Sequence, residues 1–540
     1  MLPGALMSDS PGTVSSLRLF AGRHRFVLAA GGVLAIVAAL KLLGLGIAPP
    51  GLYNDEASIG YNAWALAHHG VDEHGAAHPL FFEAFGEYKN PIYIYALAPL
   101  TWVLPLTPSV ERLPAAVFGL ITVVLVALLA WELTRNRWVA LLSLALAAVT
   151  PWLTVESRVG FEQVTMVMTL TAAIYCYARS TREDASPGWL WGTGLALALT
   201  IYAYSTGRLL VALICVGMIL VDGRWRRPQI LPVLVPVGAA YLILLLWAHA
   251  HPGALTERLN IIGINADGAG LPVLAERFVR NYFTYWNFQY LFTNGDAYLR
   301  HNTGYGGMLL VTTLPLLVLG LVTCLRRWRE PVPRLLLVMV VVGPVPAALT
   351  YDNTPHALRS SGMLPALLGL MIYGVAQLFA LLTPRRLLAA VVIAAVAIDA
   401  GGFMYDLYVY WPGRSLAWFD TGELQAVQDA HGLAGGHTVW LSTRLDVPYI
   451  QALFAFKPSP VTLPYPENTG PALAQIGMAE LPDQSGGQPQ SGDVLVMPPD
   501  EQPPSGSTLL KTETVTVAAS AAEPEFLTQP PVELVRIWRR

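Results

Sequence analysis

Eleven apolar runs separated by short polar connections dictate what this chain can fold into. They lie at roughly 26–47, 111–133, 138–153, 163–179, 189–206, 208–222, 229–250, 306–325, 334–350, 361–382 and 387–407. An α-helix of about 20 residues crosses the ~30 Å hydrocarbon core of a bilayer. Within lipid, only a helix or a closed barrel satisfies every backbone N–H and C=O. The runs therefore predict a polytopic α-helical membrane protein of about eleven spans. Composition agrees, since 54% of the 540 residues are hydrophobic and 13% charged, where a soluble domain carries about 25% charged residues. A net charge of −3 without any basic run argues against a nucleic-acid partner. Cys176, Cys215 and Cys324 all fall inside apolar runs, an odd and scattered set that makes neither a disulfide framework nor a metal site.

Basic clusters set the orientation. Arg135 and Arg137, Arg179 and Arg182, Arg224 with Arg226 and Arg227, Arg326 with Arg327 and Arg329, and Arg385 with Arg386 occupy every second connection. Residues 1–25, with Arg18, Arg23, His24 and Arg25, share their sign. The positive-inside rule places all of these in the cytoplasm. The apolar piece 91–106 then cannot be a crossing, because every later cluster would change side. It is expected to lie along or re-enter the outer surface, within a first external loop of 48–110. The first span reads as a retained signal-anchor, without a convincing small-residue cleavage site after it. The domains expected are a cytoplasmic segment 1–25, a membrane domain 26–407 and an extracytoplasmic domain 408–540, in a multi-pass protein of the plasma (inner) membrane. The last domain shifts to Pro, Gly, Ser, Gln and Thr, with strand-like runs at Thr438–Ser442, Asp493–Met497 and Thr512–Val517 and a helical pattern at 421–431. A small α/β domain with a looser stretch at 481–506 is predicted.

The chemistry is concentrated in the external loops. Residues 51–91 gather Asp55, Glu56, His68, His69, Asp72, Glu73, His74, His78, Glu83, Glu87 and Lys89. Ionisable groups beside a bilayer cost several kcal/mol unless they are paired, solvated or used. The bland role for Asp55 is helix capping, with Asn54 or Asp55 as N-cap of a helix over 56–69. Arg158 and Glu162 could form an i,i+4 ion pair; Arg208 and Arg359 could snorkel to headgroups; His356 could be a structural residue. The histidines at 68, 69, 74 and 78, with Asp72 and Glu73, match no closed zinc spacing. Tyr282–Tyr290 reads as an interfacial aromatic belt that could also line a sugar or lipid groove.

Asn54-Asp55-Glu56-Ala57 with Gly60-Tyr61-Asn62-Ala63, Glu87-Tyr88-Lys89-Asn90-Pro91, and Arg158 with Glu162 resemble the polyprenyl-phosphate-sugar-dependent glycosyltransferases of the GT-C superfamily. The branch they resemble is that of the protein O-mannosyltransferases and aminoarabinose transferases. The likeness covers about 20–410 and is clearest over 50–180. It implies a GT-C-like catalytic domain with Asp55 as base and a second acid, Glu162, framing the site; Glu56 is a third candidate. This second acid is Glu rather than the mannosyltransferases' Asp, its spacing from Arg158 is shorter, and the tail is not their β-trefoil, which leaves the acceptor open. On that reading a sugar moves from a polyprenyl-phosphate donor to a hydroxyl of a protein, glycolipid or polysaccharide, with inversion. A leaving phosphate calls for cations, for which Lys89, Arg158, Arg208, Arg359 and His356 are candidates. One such contact at ~4 Å is worth about 4 kcal/mol at an effective dielectric of about 20. Tyr61, Glu87, Tyr88, Asn90 and His301 are the expected substrate contacts. No cofactor is required, although a divalent metal is compatible. The alternatives are an oligosaccharyltransferase taking a lipid-diphosphate donor, and a flippase or transporter of lipid-linked sugar. A transporter should carry ionisable groups at mid-span, whereas here they cluster at the external ends.

Overall fold

A computed structural model describes residues 11–381, 386–482, 487–515 and 532–540. Each of the eleven apolar runs overlies a helix, from Pro11–Leu42 to Arg386–Val409. Five stretches are long and apolar enough, by length and composition, to cross a membrane: Pro108–Thr134, Pro228–Ala250, Pro331–Ala348, Ala357–Leu381 and Arg386–Val409. Shorter apolar helices such as Arg137–Ala148, Gly188–Ala203 and Ser205–Val221 accompany them. Their buried faces share one core that includes Trp152, Met166, Leu170, Ile214 and Leu336. Two glycines set the closest approach in it. A Cβ on Gly320 would collide with Leu370 O, and one on Gly374 with Leu316 O, so helices Leu314–Arg326 and Leu364–Leu381 meet backbone to backbone, as small residues allow in membranes.

The piece 91–106 forms two short helices, Pro91–Leu97 and Leu100–Val103. Neither is long enough to cross a bilayer. The preceding loop folds as a helix, Asn54–His69, followed by a hairpin of β1 (Phe82–Ala84) and β2 (Glu87–Lys89). Phe85 and Gly86 turn that hairpin with φ of 55° and 76°, the left-handed pair that matches strand twist in a two-residue turn.

Residues 408–540 contain five strands, β3 (Val439–Ser442), β4 (Met478–Leu481), β5 (Val494–Met497), β6 (Thr508–Val515) and β7 (Val532–Arg539). They form one sheet with order β4-β3-β5-β7-β6. β3 runs parallel to β4 and β5, while β7 pairs antiparallel with β5 and β6. The helical pattern at 421–431 appears as Glu423–Ala434. β4 and β7 escaped the sequence reading, because a half-buried four-residue strand and one rich in charge present little apolar signal. Residues 516 and 517 of the predicted 512–517 strand lie outside the described residues. This sheet domain is not a separate bead. Ala57 and Tyr61 of the first-loop helix share a core with Val427, Ile450, Leu453 and Phe454, so the loop is clamped between the bundle and the sheet.

Candidate active site

The first-loop helix begins at Asn54, and its N-cap is Tyr53 rather than Asn54 or Asp55. Glu56, at the third helical position, reaches back to accept the Tyr53 N–H at 3.1 Å, which satisfies a donor the helix start would orphan. That frees Asp55 from capping and turns it toward a cavity of about 550 Å³. The hairpin delivers Lys89 to the same wall, where its Nζ donates to Asp55 Oδ1 at 2.5 Å. Lys89 is 7% exposed and Asp55 35% exposed at the side chain, so the cation is fixed while the carboxylate stays accessible. Burial lowers the Lys89 pKa, but Asp55, Glu162 and Glu87 together raise it above its ordinary value.

Glu162 stands on the same wall, ahead of helix Gln163–Ser180. It accepts the backbone N–H of Asn90 and, at 3.0 Å, the Asn90 side-chain N–H. Burial pushes its carboxyl up to about 7; Lys89 and the Asn90 bonds oppose that shift and Asp55 adds to it. Asn90 Oδ1 in turn accepts from Arg208 Nη2 at 2.9 Å, and the Arg208 guanidinium lies 4.7 Å over the Phe81 ring. Opposite, Arg359 donates to the Asp352 carbonyl at 2.7 Å and to its carboxylate at 3.1 Å. Glu87, Tyr88, His301 and His356 complete the polar lining, and Leu209, Leu244, Leu255 and Leu259 an aliphatic one. The cavity thus offers cations beside a greasy wall.

Three predicted site residues are elsewhere. Glu56 is fully buried against Arg112, whose Nε and Nη2 donate to its two oxygens at 2.7 Å each. It also accepts the Gly160 N–H at 2.9 Å, while Arg112 donates to the carbonyls of Leu45, Pro49 and Gly51. Glu56 is therefore the hub of a structural network rather than a cavity acid. Arg158 is buried and donates to the carbonyls of Leu40, Leu43 and Ala48 at 2.7–2.9 Å; it neither faces the cavity nor pairs with Glu162. Tyr61 donates to Pro458 O at 2.8 Å in the seam with the sheet domain. Buried backbone groups claim all three: carbonyls take the donors of Arg158 and Tyr61, and the Tyr53 and Gly160 N–H groups, with Arg112, take the oxygens of Glu56.

The sequence reading missed Tyr53, Arg112 and Asp296. Arg300 covers the Tyr53 ring at 3.7 Å and lies 5.5 Å from the Trp418 ring, so it and Tyr53 wall the cavity on the sheet-domain side. Asn294-Gly295-Asp296, a turn-forming run, was the one local signal for Asp296. His74 pairs with Glu73 at 3.3 Å, and His68 stacks on Trp64, so the first-loop histidines do not converge. The described group able to hold a metal ion is Asp296, His301 and His356 instead. Burial would raise the Asp296 carboxyl, but His301, His356 and the Ala357 N–H hold it down to about 2.

Among the described residues, the helical bundle thus holds a large cavity that joins an aliphatic wall to a cationic, carboxylate-bearing end. Residues 33–249, which include the first loop, Lys89, Glu162 and Arg208, match the family of dolichyl-phosphate-mannose-protein mannosyltransferases. The fold resembles that of ArnT from Cupriavidus metallidurans bound to undecaprenyl phosphate, with 15% identity over 88% of this chain and 93% of that one and a TM-score of 0.53. A looser likeness, TM-score 0.46 at 13% identity, relates 87% of the chain to 69% of the oligosaccharyltransferase AglB from Archaeoglobus fulgidus. No curated protein matches the chain by sequence. The membrane part of the chain is thus similar to a family of lipid-linked-sugar glycosyltransferases, and its fold to that of ArnT.

Proposed function

We propose that the protein transfers a sugar from a polyprenyl-phosphate donor to an acceptor hydroxyl at the extracytoplasmic face of the plasma membrane, with Asp55 as base. The observation that carries this reading is the Asp55–Lys89 pair at the junction of the cavity's polar and aliphatic walls. Asp55 takes the acceptor proton as the acceptor oxygen bonds to the anomeric carbon from the face opposite the phosphate. The bond from that carbon to the phosphate oxygen breaks, and the electron pair leaves with the lipid phosphate. A positioned base contributes about 10²–10⁴-fold. Lys89, Arg208 and Arg359 stand where they can hold the leaving phosphate, and charge stabilisation of this kind is commonly the larger share of a barrier. The aliphatic side of the cavity suits the first isoprene units, and on this reading the reacting carbon lies at the membrane surface.

The same reading takes the cavity and residues 408–540 as external, which the odd number of apolar runs and the alternating basic clusters support. The domains follow: 1–25 cytoplasmic, 26–407 catalytic and in the membrane, 408–540 extracytoplasmic. Reporter fusions at Arg227 and Gly435 should report opposite compartments; the same side for both would mean an even number of crossings between them and overturn the span count. The activity is tested by mixing purified protein with a polyprenyl-phosphate sugar and analysing glycans and glycolipids of a deletion strain by mass spectrometry. A deletion strain with unchanged glycans, together with purified protein that releases no lipid phosphate from any such donor, would overturn the function.

A further inference from the structure

On the cavity wall away from Asp55, the long loop 251–305 and the turn 351–360 bring three buried groups together. His301 Nδ1 lies 2.8 Å from Asp296 Oδ2, and His356 Nδ1 lies 4.0 Å from that oxygen. The potential ligand atoms of the three residues all fall within 4.8 Å of one another. We propose that Asp296, His301 and His356 form a mononuclear site for a divalent transition metal of the zinc class, with one coordination position open to the cavity.

The donor set carries the assignment of metal. Two imidazoles and one carboxylate suit Zn²⁺, Co²⁺ or Mn²⁺, whereas Mg²⁺ and Ca²⁺ prefer an all-oxygen shell. Three protein ligands, rather than four, are the pattern of a site that keeps a position for water or substrate. His301 and His356 both line the cavity, so the fourth position faces it. Proximity and burial point the same way. The two imidazole rings are 4.7 Å apart at their centroids, and the three residues are 3–7% exposed.

The surroundings are already built to orient such ligands. Asp296 Oδ1 accepts the Tyr298 N–H at 2.8 Å and the Asn353 side-chain N–H at 3.4 Å, and Oδ2 accepts the Ala357 N–H at 2.6 Å. Asn302 donates to Asn294 O at 2.7 Å and closes the loop that carries Asp296 and His301. The Tyr298 ring packs on both imidazoles, 5.6 and 6.1 Å from their centroids. Ligands at about 2.0–2.1 Å from a tetrahedral ion lie about 3.3 Å from each other, so binding asks the 2.8 Å His301–Asp296 spacing to open and the 4.0 Å His356–Asp296 spacing to close. A metal here would tie the two loops together and offer its open position to an oxygen in the cavity. That last offer alone depends on the glycosyltransferase reading; the site itself does not.

The test uses the full chain in detergent, stripped with chelator and titrated with Zn²⁺, and separately with Co²⁺. About one equivalent of Zn²⁺ per chain should survive gel filtration, and the Co²⁺ form should show the visible absorption of a low-coordinate ion that Zn²⁺ displaces. His301→Gln and His356→Gln should each weaken Zn²⁺ binding by ~10²-fold or more, above the range for losing a mere supporting partner. X-ray absorption at the zinc edge of the wild-type protein should show two imidazoles, and it decides the matter if either variant fails to fold. Absence of stoichiometric metal, unchanged affinity in folded variants, or a zinc shell with fewer than two imidazoles would each overturn the site. None of these readouts requires sugar transfer, so their failure leaves the proposed activity standing, and the reverse.

Discussion

Asp55 and Glu56 follow one another in a single helical turn, yet they belong to two regions of the molecule with opposite physics. Asp55 faces the cavity, a third exposed, beside a lysine that can be shared with an incoming anion. Glu56 faces the root of the loop, is fully enclosed, and has its oxygens committed to Arg112, Gly160 and Tyr53. The cations divide in the same way. Lys89, Arg208 and Arg359 line the cavity, while Arg112 and Arg158 spend their donors on backbone carbonyls. What separates the regions is thus the partner and its solvation, not the residue type. The cavity region keeps charge available, and the root region consumes charge to hold an irregular loop next to lipid.

The sharpest break in that comparison is Asp55→Asn, which keeps the size of the side chain but cannot accept a proton. Single-turnover transfer with a matched lipid donor should fall by about 10²–10⁴-fold while donor affinity changes little. A loss confined to affinity would instead make Asp55 a holder of Lys89, and a wild-type rate would remove it from the chemistry.

Arg112→Met should show the opposite profile. It strands Glu56 as a buried, unpaired carboxylate, which costs roughly 3–5 kcal/mol in comparable sites. The thermal melt should drop sharply, donor affinity per folded molecule should hold, and adding Glu56→Gln should restore part of the melt. A variant that melts normally but cannot bind donor would dissolve the boundary between the two regions.

Much of this division was legible in the sequence, and its limits have physical causes. The apolar runs predicted helices where helices stand, because a lipid-facing segment has no other way to satisfy its backbone. Asp55, Lys89, Glu162, Arg208 and Arg359 were singled out, and they converge on the cavity. Glu56, Tyr61 and Arg158 were singled out by the same logic and point away from it. Spacing along a chain records residue type and approximate depth, but not which face of a loop meets a carbonyl. Arg112 was invisible as a partner because its carboxylate lies 56 positions earlier. Asp296 joins His356 across 60 positions, a distance over which one sequence carries no pairing signal.

Within the cavity region the cations should rank by how freely they can meet a phosphate. Lys89→Ala should weaken donor binding about tenfold, near 1.4 kcal/mol, as read by titration with the lipid donor. Arg359 already donates to Asp352 through both terminal nitrogens, so Arg359→Ala should cost less, and Arg359→Lys should recover only part because it lacks the fork. Equal losses in Lys89→Ala and Arg359→Ala would mean that Asp352 releases its partner when donor arrives.

The smallest effect is expected where the two regions meet, at Glu162, which lines the cavity yet is buried, if less completely than the root. Burial lifts its carboxyl from an ordinary 4.5 to about 7. A carboxyl raised on folding is held more tightly as the neutral acid in the folded chain. Its stabilising contribution is therefore fully present below 4.5 and is lost as pH rises through about 7, beyond which the slope vanishes. The melting temperature of the wild-type protein should carry a downward component between pH 5 and 7, a window set by that shift. Glu162→Gln, which is neutral throughout, should remove that component and leave the rest of the curve in place. The measurement is a pair of melting curves against pH in one detergent. If the two run parallel across that window, Glu162 is already ionised there, Lys89 outweighs its burial, and the residue belongs with Asp55 to the cavity rather than to the border.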